Sequence, residues 1–297
     1  MTEFRKIGVV GCGTMGAGIT QTILQAGYEV VVVEADDDRL QRGFTTIVSA
    51  LSKLVEKGVI ADADKDAAQQ RLRGTTELSA LANCDLVIEA VVEDLNTKQA
   101  LFRRLDELCR PETIFASNTS SLSITHMASV VSPARQARFV GLHFFNPVPR
   151  MALVEVVRSF LTDAAVVEQV TAFARAIGKT PVQATDKTGF IVNRLLVPYS
   201  LDAIRALEEG VGSITDIDQA MKLGAGHPMG PLMLNDLVGL DVLLSVANAM
   251  YEAFRERRFA PPPLLTRMVA AGWLGRKTGR GFYDYSDPKQ PKPMALV

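Results

Sequence analysis

The sequence contains few histidines and cysteines, three of each among 297 residues. Cys12, Cys84 and Cys109 are odd in number and widely spaced, which fits neither a disulfide framework nor a CxxC-type zinc site. We therefore expect no metal, and a reducing, cytoplasmic compartment. A cytoplasmic location also agrees with the start, MTEFRKIGVVG, which runs directly into a strand pattern and leaves no room for a signal peptide.

An excess of charge and a long apolar run are also lacking. The formal net charge is −1, so no global field draws the chain to nucleic acid or to an anionic membrane. No apolar run reaches the roughly 18 residues of a membrane span. These features predict a globular protein without nucleic acid or membrane as a partner, and 47% apolar residues suffice for the cores of two domains.

Residues 1–184 alternate short apolar runs with amphipathic helical segments. The runs are KIGVVG, YEVVVVE, CDLVIEAVV, ETIFASN, RFVGLHFF, ALVEVV and TPVQA. Strands that alternate with helices predict an α/β domain with a parallel, doubly wound sheet. Residues 37–81 have helical apolar spacing over more length than a crossover needs, which predicts an inserted helix pair.

Residues 185–297 carry no further strand pattern and are predicted to form an all-helical C-terminal domain. Helices are expected at 189–208, 215–223 and 231–254, with glycines between them. Two of these segments are too apolar to face solvent all round. We therefore expect a homodimer through this second domain.

A glycine loop follows the first predicted strand. Gly11, Gly13 and Gly16 form a GxGxxG motif that opens a helix, where unpaired N–H groups and the helix dipole favour a pyrophosphate. Glu34 ends the next strand about twenty residues on, where its carboxylate would accept ribose hydroxyls and repel a 2′-phosphate. This context predicts a Rossmann-like domain that prefers NAD to NADP. The alternatives are a tight packing turn at the glycines and a solvated strand end at Glu34.

Polar residues cluster where the predicted strands end, the edge at which open parallel sheets bind ligands. Glu93 and Lys98 follow one strand, SNTSS follows the next, and His143 ends RFVGLH. Glu155 shares an apolar strand face and needs a partner there. A lone histidine is most often a core or surface residue, but the strand-end position and the nearby Glu155 favour a functional role for His143. SNTSS could equally be a helix N-cap segment. Asn193 interrupts an apolar run, which a core hydrogen bond and a substrate contact explain equally well.

Seven ordered blocks of the sequence resemble one enzyme family over nearly the whole chain. They are GVVGCGTMGAGI, IEAVVED, ASNTSSLSIT, GLHFFNPVPRMALVEVV, DKTGFIVNRLLVPY, MKLGAGHPMGP and KTGRGFYDY. In these blocks the chain resembles the L-3-hydroxyacyl-CoA dehydrogenases, including the 3-hydroxybutyryl-CoA dehydrogenases. The resemblance implies a dinucleotide-binding domain followed by a helical dimerisation domain, an acyl-CoA substrate and a role in fatty acid metabolism such as β-oxidation.

The resemblance also implies roles for individual residues. His143 and Glu155 would be the catalytic pair, with Ser120 and Asn193 completing the substrate site. The implied NAD contacts are Gly11, Cys12, Gly13, Thr14, Met15, Gly16, Glu34, Glu93, Lys98, Ser120, Asn146 and Lys277. The family's inserted helix pair helps to bind coenzyme A, and Lys53 and Lys57 lie in that region, although both could be plain solvated lysines.

The expected chemistry is a reversible alcohol oxidation. His143 would take the hydroxyl proton while hydride leaves for the nicotinamide, and Glu155 would fix the ring's tautomer and stabilise the imidazolium. One alternative is a related dehydrogenase of a free hydroxy acid or a sugar acid such as L-gulonate. A second is a non-enzymatic protein that binds a dinucleotide or serves as structural bulk. The aromatic HFFNP segment and the helix insertion favour the acyl-CoA substrate.

Overall fold

The computed structural model describes residues 4–295, which divide into two compact units. The first unit extends through Phe190 and the second begins at Ile191. The DKTGF segment, which the sequence assigns to the second domain, thus lies in the first unit.

The first unit is built on an eight-stranded sheet with the order β3-β2-β1-β4-β5-β6-β7-β8. Its strands are β1 (Lys6–Val10), β2 (Glu29–Val33), β3 (Leu72–Thr75), β4 (Leu86–Glu89), β5 (Ile114–Ser117), β6 (Phe139–Phe144), β7 (Leu153–Arg158) and β8 (Thr180–Thr185). Every neighbouring pair is parallel except β6 and β7. From β1 the chain first adds β2 and β3 on one side and then returns to add β4 to β8 on the other side. Doubly wound sheets bind nucleotides at this switch point.

Helices cover both faces of this sheet because successive strand residues point to opposite sides. The helices of the first unit are α1 (Thr14–Gln25), α2 (Asp37–Glu56), α3 (Asp62–Gln70), α4 (Leu95–Leu108), α5 (Ile124–Ala128), α6 (Pro133–Gln136) and α7 (Ala164–Ala176). Ile7 and Val9 of β1 pack in the core with α1 and α7, whereas Val10 packs in the core with α4 and α5. The central strands are therefore buried on both sides, as their near-continuous apolar runs predict, whereas the edge strands β3 and β8 are partly exposed.

The inserted segment 37–81 is less helical than predicted. It holds the expected pair, α2 and α3, but ends in β3 and a 3₁₀ turn, Leu78–Leu81. The four residues of β3 are LRGT, which contain no apolar run, and they pair only with β2 at the edge of the sheet. A short, polar edge strand leaves no periodic pattern, so only its pairing with β2 identifies it.

The sheet is also not wholly parallel, which corrects the prediction at β7. Residues 145–152 connect β6 to β7 without a helix. A parallel connection needs a crossover of a dozen or more residues, so this shorter link returns β7 antiparallel beside β6. The reversal places His143 directly opposite Glu155 in the ladder.

The second unit is mainly helical. Its helices are α8 (Val192–Glu208), α9 (Ile214–Gly224), α10 (Pro231–Val238), α11 (Leu240–Phe254) and α12 (Pro263–Ala270). The predicted helix 231–254 is two helices that meet at 96° beside Gly239, whose φ is +105°. The unit also contains α12 and a two-stranded sheet of β9 (Tyr283–Asp284) and β10 (Lys292–Pro293), so the expectation of an all-helical domain was too strict.

No single helix among residues 4–295 has both the length and the apolar character to cross a membrane. The bent pair α10 and α11 reaches those values only when its two helices are taken together.

Candidate functional site

The glycine loop has the close packing that its motif predicts. Gly11 has a φ of +92°, and a Cβ there would lie 2.6 Å from the carbonyl oxygen of Ala90. A Cβ on Gly16 would lie 1.9 Å from the carbonyl oxygen of Gly11. Gly13, by contrast, faces open space and is the N-cap of α1, with no side chain capping the helix. Two glycines are thus required by packing, and the third leaves the helix N-terminus accessible.

Glu34 lies beside this loop. The backbone N–H of Cys12 donates to Glu34 Oε1 at 2.6 Å, and that of Ala35 donates to Oε2 at 2.9 Å. Burial, with a smaller contribution from the Glu34 carboxylate, raises the pKa of the Cys12 thiol to about 12. The thiol is therefore a neutral packing group, and Glu34 is the charge at this end of the loop.

The glycine loop and Glu34 line a cleft of about 380 Å³. Its lining residues are Cys12, Gly13, Thr14, Glu34, Arg39, Arg42, Gly43 and Thr46. An uncapped helix N-terminus, an approachable glycine and a carboxylate at the next strand end fit the pyrophosphate and the ribose of a dinucleotide. Sequence reasoning missed Arg39 and Arg42, although two arginines in the first turns of a helix after Glu34 were a readable signal.

A buried charge cluster follows β4. The Lys98 ammonium lies 2.6 Å from Glu89 Oε1 and 3.1 Å from Glu93 Oε2. Glu89 also accepts from the Val91 N–H at 2.7 Å and from the Ser117 hydroxyl at 2.5 Å. Lys98 and Glu89 are 1% and 0% exposed, so each charge depends on the other. Sequence reasoning named Glu93 and Lys98 but missed Glu89, whose acidic side chain within an apolar strand was the available signal.

Glu93 connects this cluster to the serine-rich segment after β5. It accepts from the Thr119 hydroxyl at 2.5 Å and from the Ser120 backbone N–H at 2.9 Å. Burial opposes the charge on Glu93, but the Lys98 ammonium and these hydrogen bonds hold its pKa below the ordinary value. The structure thus brings together three of the residues predicted at the site: Glu93, Lys98 and Ser120.

The segment that carries Ser120 is held at both of its ends. The Phe144 N–H donates to Asn118 Oδ1 at 2.9 Å, which ties the start of the segment to the end of β6. At the other end, the Asp186 carboxylate accepts from the Ser123 hydroxyl and from two N–H groups of the first turn of α5. The N-cap of α5 is Ser123, whose hydroxyl accepts from the His126 N–H, so the cap lies two residues beyond SNTSS, the segment for which the sequence left an N-cap open.

His143 and Glu155 form a buried pair. Nδ1 of His143 lies 2.7 Å from Glu155 Oε2, and the side chains are 8% and 1% exposed. The histidine ring also contacts Phe145 at a centroid distance of 4.4 Å and Phe190 at 5.7 Å. A carboxylate on Nδ1 fixes the ring's orientation and leaves proton exchange to Nε2. The arrangement can therefore act as an oriented acid–base group in a largely apolar surrounding.

Among the other predicted residues of the first unit, Met15 is half-buried against the core, whereas Asn146, Lys53 and Lys57 are exposed. Asn146 lies just beyond β6, three positions after His143. Lys53 lies in the last turn of α2 and Lys57 caps that helix. Their exposure leaves each side chain accessible to a bound molecule, but equally to solvent.

Two predicted residues belong to the second unit. Asn193 is the second residue of α8. Lys277 lies in a 3₁₀ turn, Arg276–Thr278, and its ammonium is 2.6 Å from Asp241 Oδ1 at the start of α11. Within residues 4–295 no group of three or more His, Cys, Asp or Glu side chains is arranged to hold a metal ion.

Comparison with known proteins places both units in one family. Residues 6–187 match the family model for the 3-hydroxyacyl-CoA dehydrogenase NAD binding domain, and residues 189–285 match that for the 3-hydroxyacyl-CoA dehydrogenase C-terminal domain. These matches confirm the resemblance and the Rossmann-like fold inferred from the seven sequence blocks.

Individual relatives agree with the family models. A 3-hydroxybutyryl-CoA dehydrogenase of Bradyrhizobium diazoefficiens is 46% identical over 285 residues, which are 96% of this chain and 97% of that protein. The human mitochondrial hydroxyacyl-coenzyme A dehydrogenase is 45% identical over 95% of this chain and 91% of its own length. The crystal structure of (S)-3-hydroxybutyryl-CoA dehydrogenase from Ralstonia eutropha superposes with a TM-score of 0.92 at 44% identity, covering 96% of this chain and 100% of that one.

Proposed function

Since the chain belongs to the 3-hydroxyacyl-CoA dehydrogenase family, we propose that it interconverts L-3-hydroxyacyl-CoA, such as 3-hydroxybutyryl-CoA, and 3-ketoacyl-CoA with NAD. The observation that carries the proposal is the buried His143–Glu155 pair, at the same sheet edge as a glycine loop that fits a dinucleotide. Such a site combines an acid–base group with a place for a hydride carrier. When bound, the dinucleotide supplies the hydride acceptor in the forward direction and the hydride donor in reverse.

His143 moves the proton in this proposal. In the oxidation direction its Nε2 takes the proton of the 3-hydroxyl, and in reduction it returns a proton to the 3-carbonyl oxygen. Glu155 accepts the Nδ1–H, holds the tautomer and stabilises the imidazolium that forms. Phe145 and Phe190 limit water beside the ring.

Two further side chains hold the substrate in this proposal. The Ser120 hydroxyl hydrogen-bonds the reacting oxygen, and Ser120 is in place because Glu93 holds its backbone. We assign Asn193 a contact with the substrate. We assign Lys53 and Lys57 contacts with the coenzyme A phosphates, which their exposure at the end of α2 permits.

Assembly and location are also proposals. We infer a homodimer through the second unit, which exposes Leu195, Val211 and Leu223 by 71%, 73% and 82%. Large exposed apolar side chains on one unit favour an interface there. The three free, buried cysteines are compatible with the reducing cytoplasm. We place the reaction in fatty acid metabolism, where β-oxidation runs it toward the 3-ketoacyl-CoA.

The loss of NADH absorbance tests the function. Acetoacetyl-CoA, a longer 3-ketoacyl-CoA and free acetoacetate are compared at equal concentration. Turnover of the thioesters alone supports the proposal, and the ratio of the two thioesters reports the depth of the pocket. Turnover of acetoacetate alone would reassign the chain to free hydroxy acids. Absence of turnover with all three, despite NADH binding, would identify a binding protein without this activity.

A further inference from the structure

Glu89 is a fully buried carboxylate that the proposed mechanism does not use. It lies at the end of β4, between Val10 of β1 and Ser117 of β5 in the sheet register. Its described partners are all donors: the Lys98 ammonium, the Val91 N–H and the Ser117 hydroxyl. The Ser117 hydroxyl in turn accepts from the Thr119 N–H at 3.3 Å, so its proton is directed to Glu89. Every described partner of the Glu89 carboxylate therefore stabilises negative charge on it.

The cluster formed by Glu89, Lys98 and Glu93 therefore carries one negative charge in excess. Two carboxylates surround a single ammonium at distances of 2.6 and 3.1 Å. Glu89 and Lys98 are shielded from solvent whereas Glu93 is 39% exposed, so salt and water screen this excess only in part. Such a net charge acts on any charged group bound nearby.

The cluster lies along the path that a bound dinucleotide takes. The glycine loop follows β1 and Glu34 follows β2, whereas His143 lies on β6. A cofactor that reaches from the loop to the acid–base group must cross the ends of β4 and β5, which lie between β1 and β6 in the sheet. Ala90, next to Glu89, already touches Gly11 of the loop. The reactive half of the dinucleotide is therefore the half that meets the cluster.

We propose that Glu89 supplies the excess negative charge of the cluster. This charge makes the site favour the oxidised over the reduced dinucleotide more strongly than a neutral cluster would. The oxidised nicotinamide ring carries a positive charge that the reduced ring lacks, so only the oxidised form is attracted. Glu89 is thus a positioning and electrostatic residue that acts through Lys98 and Glu93. The inference rests on the part of the proposed function that assigns NAD as the cofactor, and it does not depend on the acyl-CoA substrate.

Equilibrium binding tests the proposal without turnover. NADH affinity is measured by fluorescence and NAD⁺ affinity by displacement of NADH, and the readout is the ratio of the two Kd values. In Glu89→Gln the cluster becomes neutral, and we expect NAD⁺ to weaken about fivefold relative to NADH, which corresponds to the roughly 1 kcal/mol between neighbouring unit charges under water-like screening. A residue with a merely structural role would weaken both forms alike.

Two further variants make the test independent of one substitution. Glu89→Gln combined with Lys98→Met restores the net charge of −1 without an unpaired buried ion, so the ratio should return toward that of the parent. Asp85→Asn is the matched control: Asp85 precedes β4 at its other end, accepts from the N–H groups of Arg5 and Lys6, and lies outside the site. Its ratio should equal that of the parent.

An unchanged ratio in folded Glu89→Gln, or a shift of several fold in the double variant, would overturn the proposal. If Glu89→Gln does not fold, Glu93→Gln, which also makes the cluster neutral at a partly exposed carboxylate, must shift the ratio in the same direction, and an unchanged ratio there would overturn the proposal. The acyl-CoA function fails separately, through loss of thioester turnover with the Kd ratios as expected here.

Discussion

A histidine exchanges protons usefully when one of its nitrogens is committed and the other is accessible. The register of β6 and β7 commits Nδ1 of His143 to Glu155 at 2.7 Å, in a site where neither group could be buried alone without cost. The same contact that makes burial tolerable also orients the ring. The contact between His143 and Glu155 therefore both stabilises the buried pair and prepares the ring for proton exchange.

The first residue-scale prediction concerns His143→Ala. We expect kcat with acetoacetyl-CoA to fall by about 10²- to 10⁴-fold, the typical contribution of a positioned acid–base group. NADH affinity should stay within a few fold, since the glycine loop is untouched. Steady-state kinetics and NADH fluorescence measure the two effects. His126→Ala, which removes an exposed histidine of α5, is the control, and near-normal turnover of His143→Ala would exclude His143 from the mechanism.

The second concerns Glu155→Gln. The amide has nearly the shape of the carboxylate but cannot stabilise an imidazolium, and it can present an N–H to Nδ1, which selects the wrong tautomer. We expect kcat to fall by at least about tenfold and the pH–rate profile to change, with KM affected less. The measurement is kcat across a pH series. A profile that coincides with that of the parent would show that Glu155 does not act through His143.

At the scale of elements, the strand, loop and helix of the glycine motif are fitted to one another at the backbone. Gly16 lets α1 begin against Gly11, and Gly43 of α2 packs on Cys12, where a Cβ would lie 2.3 Å from the sulfur. Gly13 has no such neighbour. Packing therefore requires Gly11 and Gly16, whereas Gly13 leaves space in which a ligand can approach the backbone.

This division predicts opposite results for Gly16→Ala and Gly13→Ala. The first forces a methyl group onto a backbone oxygen and should lower the free energy of unfolding by about 1–3 kcal/mol or more. The second should change stability by less than about 1 kcal/mol but weaken NADH binding, because a Cβ stands where the pyrophosphate must approach the backbone. Denaturant melts and NADH titrations separate the two effects. Unaltered NADH affinity in Gly13→Ala would place the cofactor elsewhere.

At the scale of the whole molecule, each unit has its own core, and the second contains a buried polar centre. Asp236 accepts from the N–H groups of Phe282 and Tyr283 and from the Tyr285 hydroxyl, with no cation among these partners. A Cβ on Gly281 would lie 1.9 Å from its Oδ1, so the second glycine of KTGRGFYDY serves this approach. Burial, only partly offset by these hydrogen bonds, raises the pKa of Asp236 to about 6.

The raised pKa predicts how stability depends on pH. Between about pH 4 and pH 6 the folded chain holds a proton on Asp236 that the unfolded chain has released. This group therefore makes the free energy of unfolding fall as pH rises through that window, by about 2–3 kcal/mol in all. Urea melts at several pH values should show that Asp236→Asn removes this dependence relative to the parent. Parallel pH curves for the two proteins would contradict the assignment.

Prediction from sequence succeeded where the signal is local and failed where two distant segments meet. The glycine loop, with its preceding strand and following helix, is contiguous, so spacing alone identified it. β3 has four residues and no apolar pattern, and it exists because β2 offers a free edge. Glu89 had a local signal, an acidic side chain in an apolar strand, but its cluster could not be predicted because its partners lie nine and 28 residues away.

The sequence by itself determined the alternation of strands and helices, the loop for a dinucleotide, the placing of polar residues after strands and the family to which the chain belongs. These features follow from neighbouring residues and from spacing along the chain. The family resemblance implied the pair of His143 and Glu155, but only the tertiary structure decided that β7 turns back antiparallel to bring them together, and that Glu89 and Glu93 share Lys98. Strand pairing and buried charge depend on which distant segments come into contact, and the local periodicity of the sequence does not indicate which segments these are.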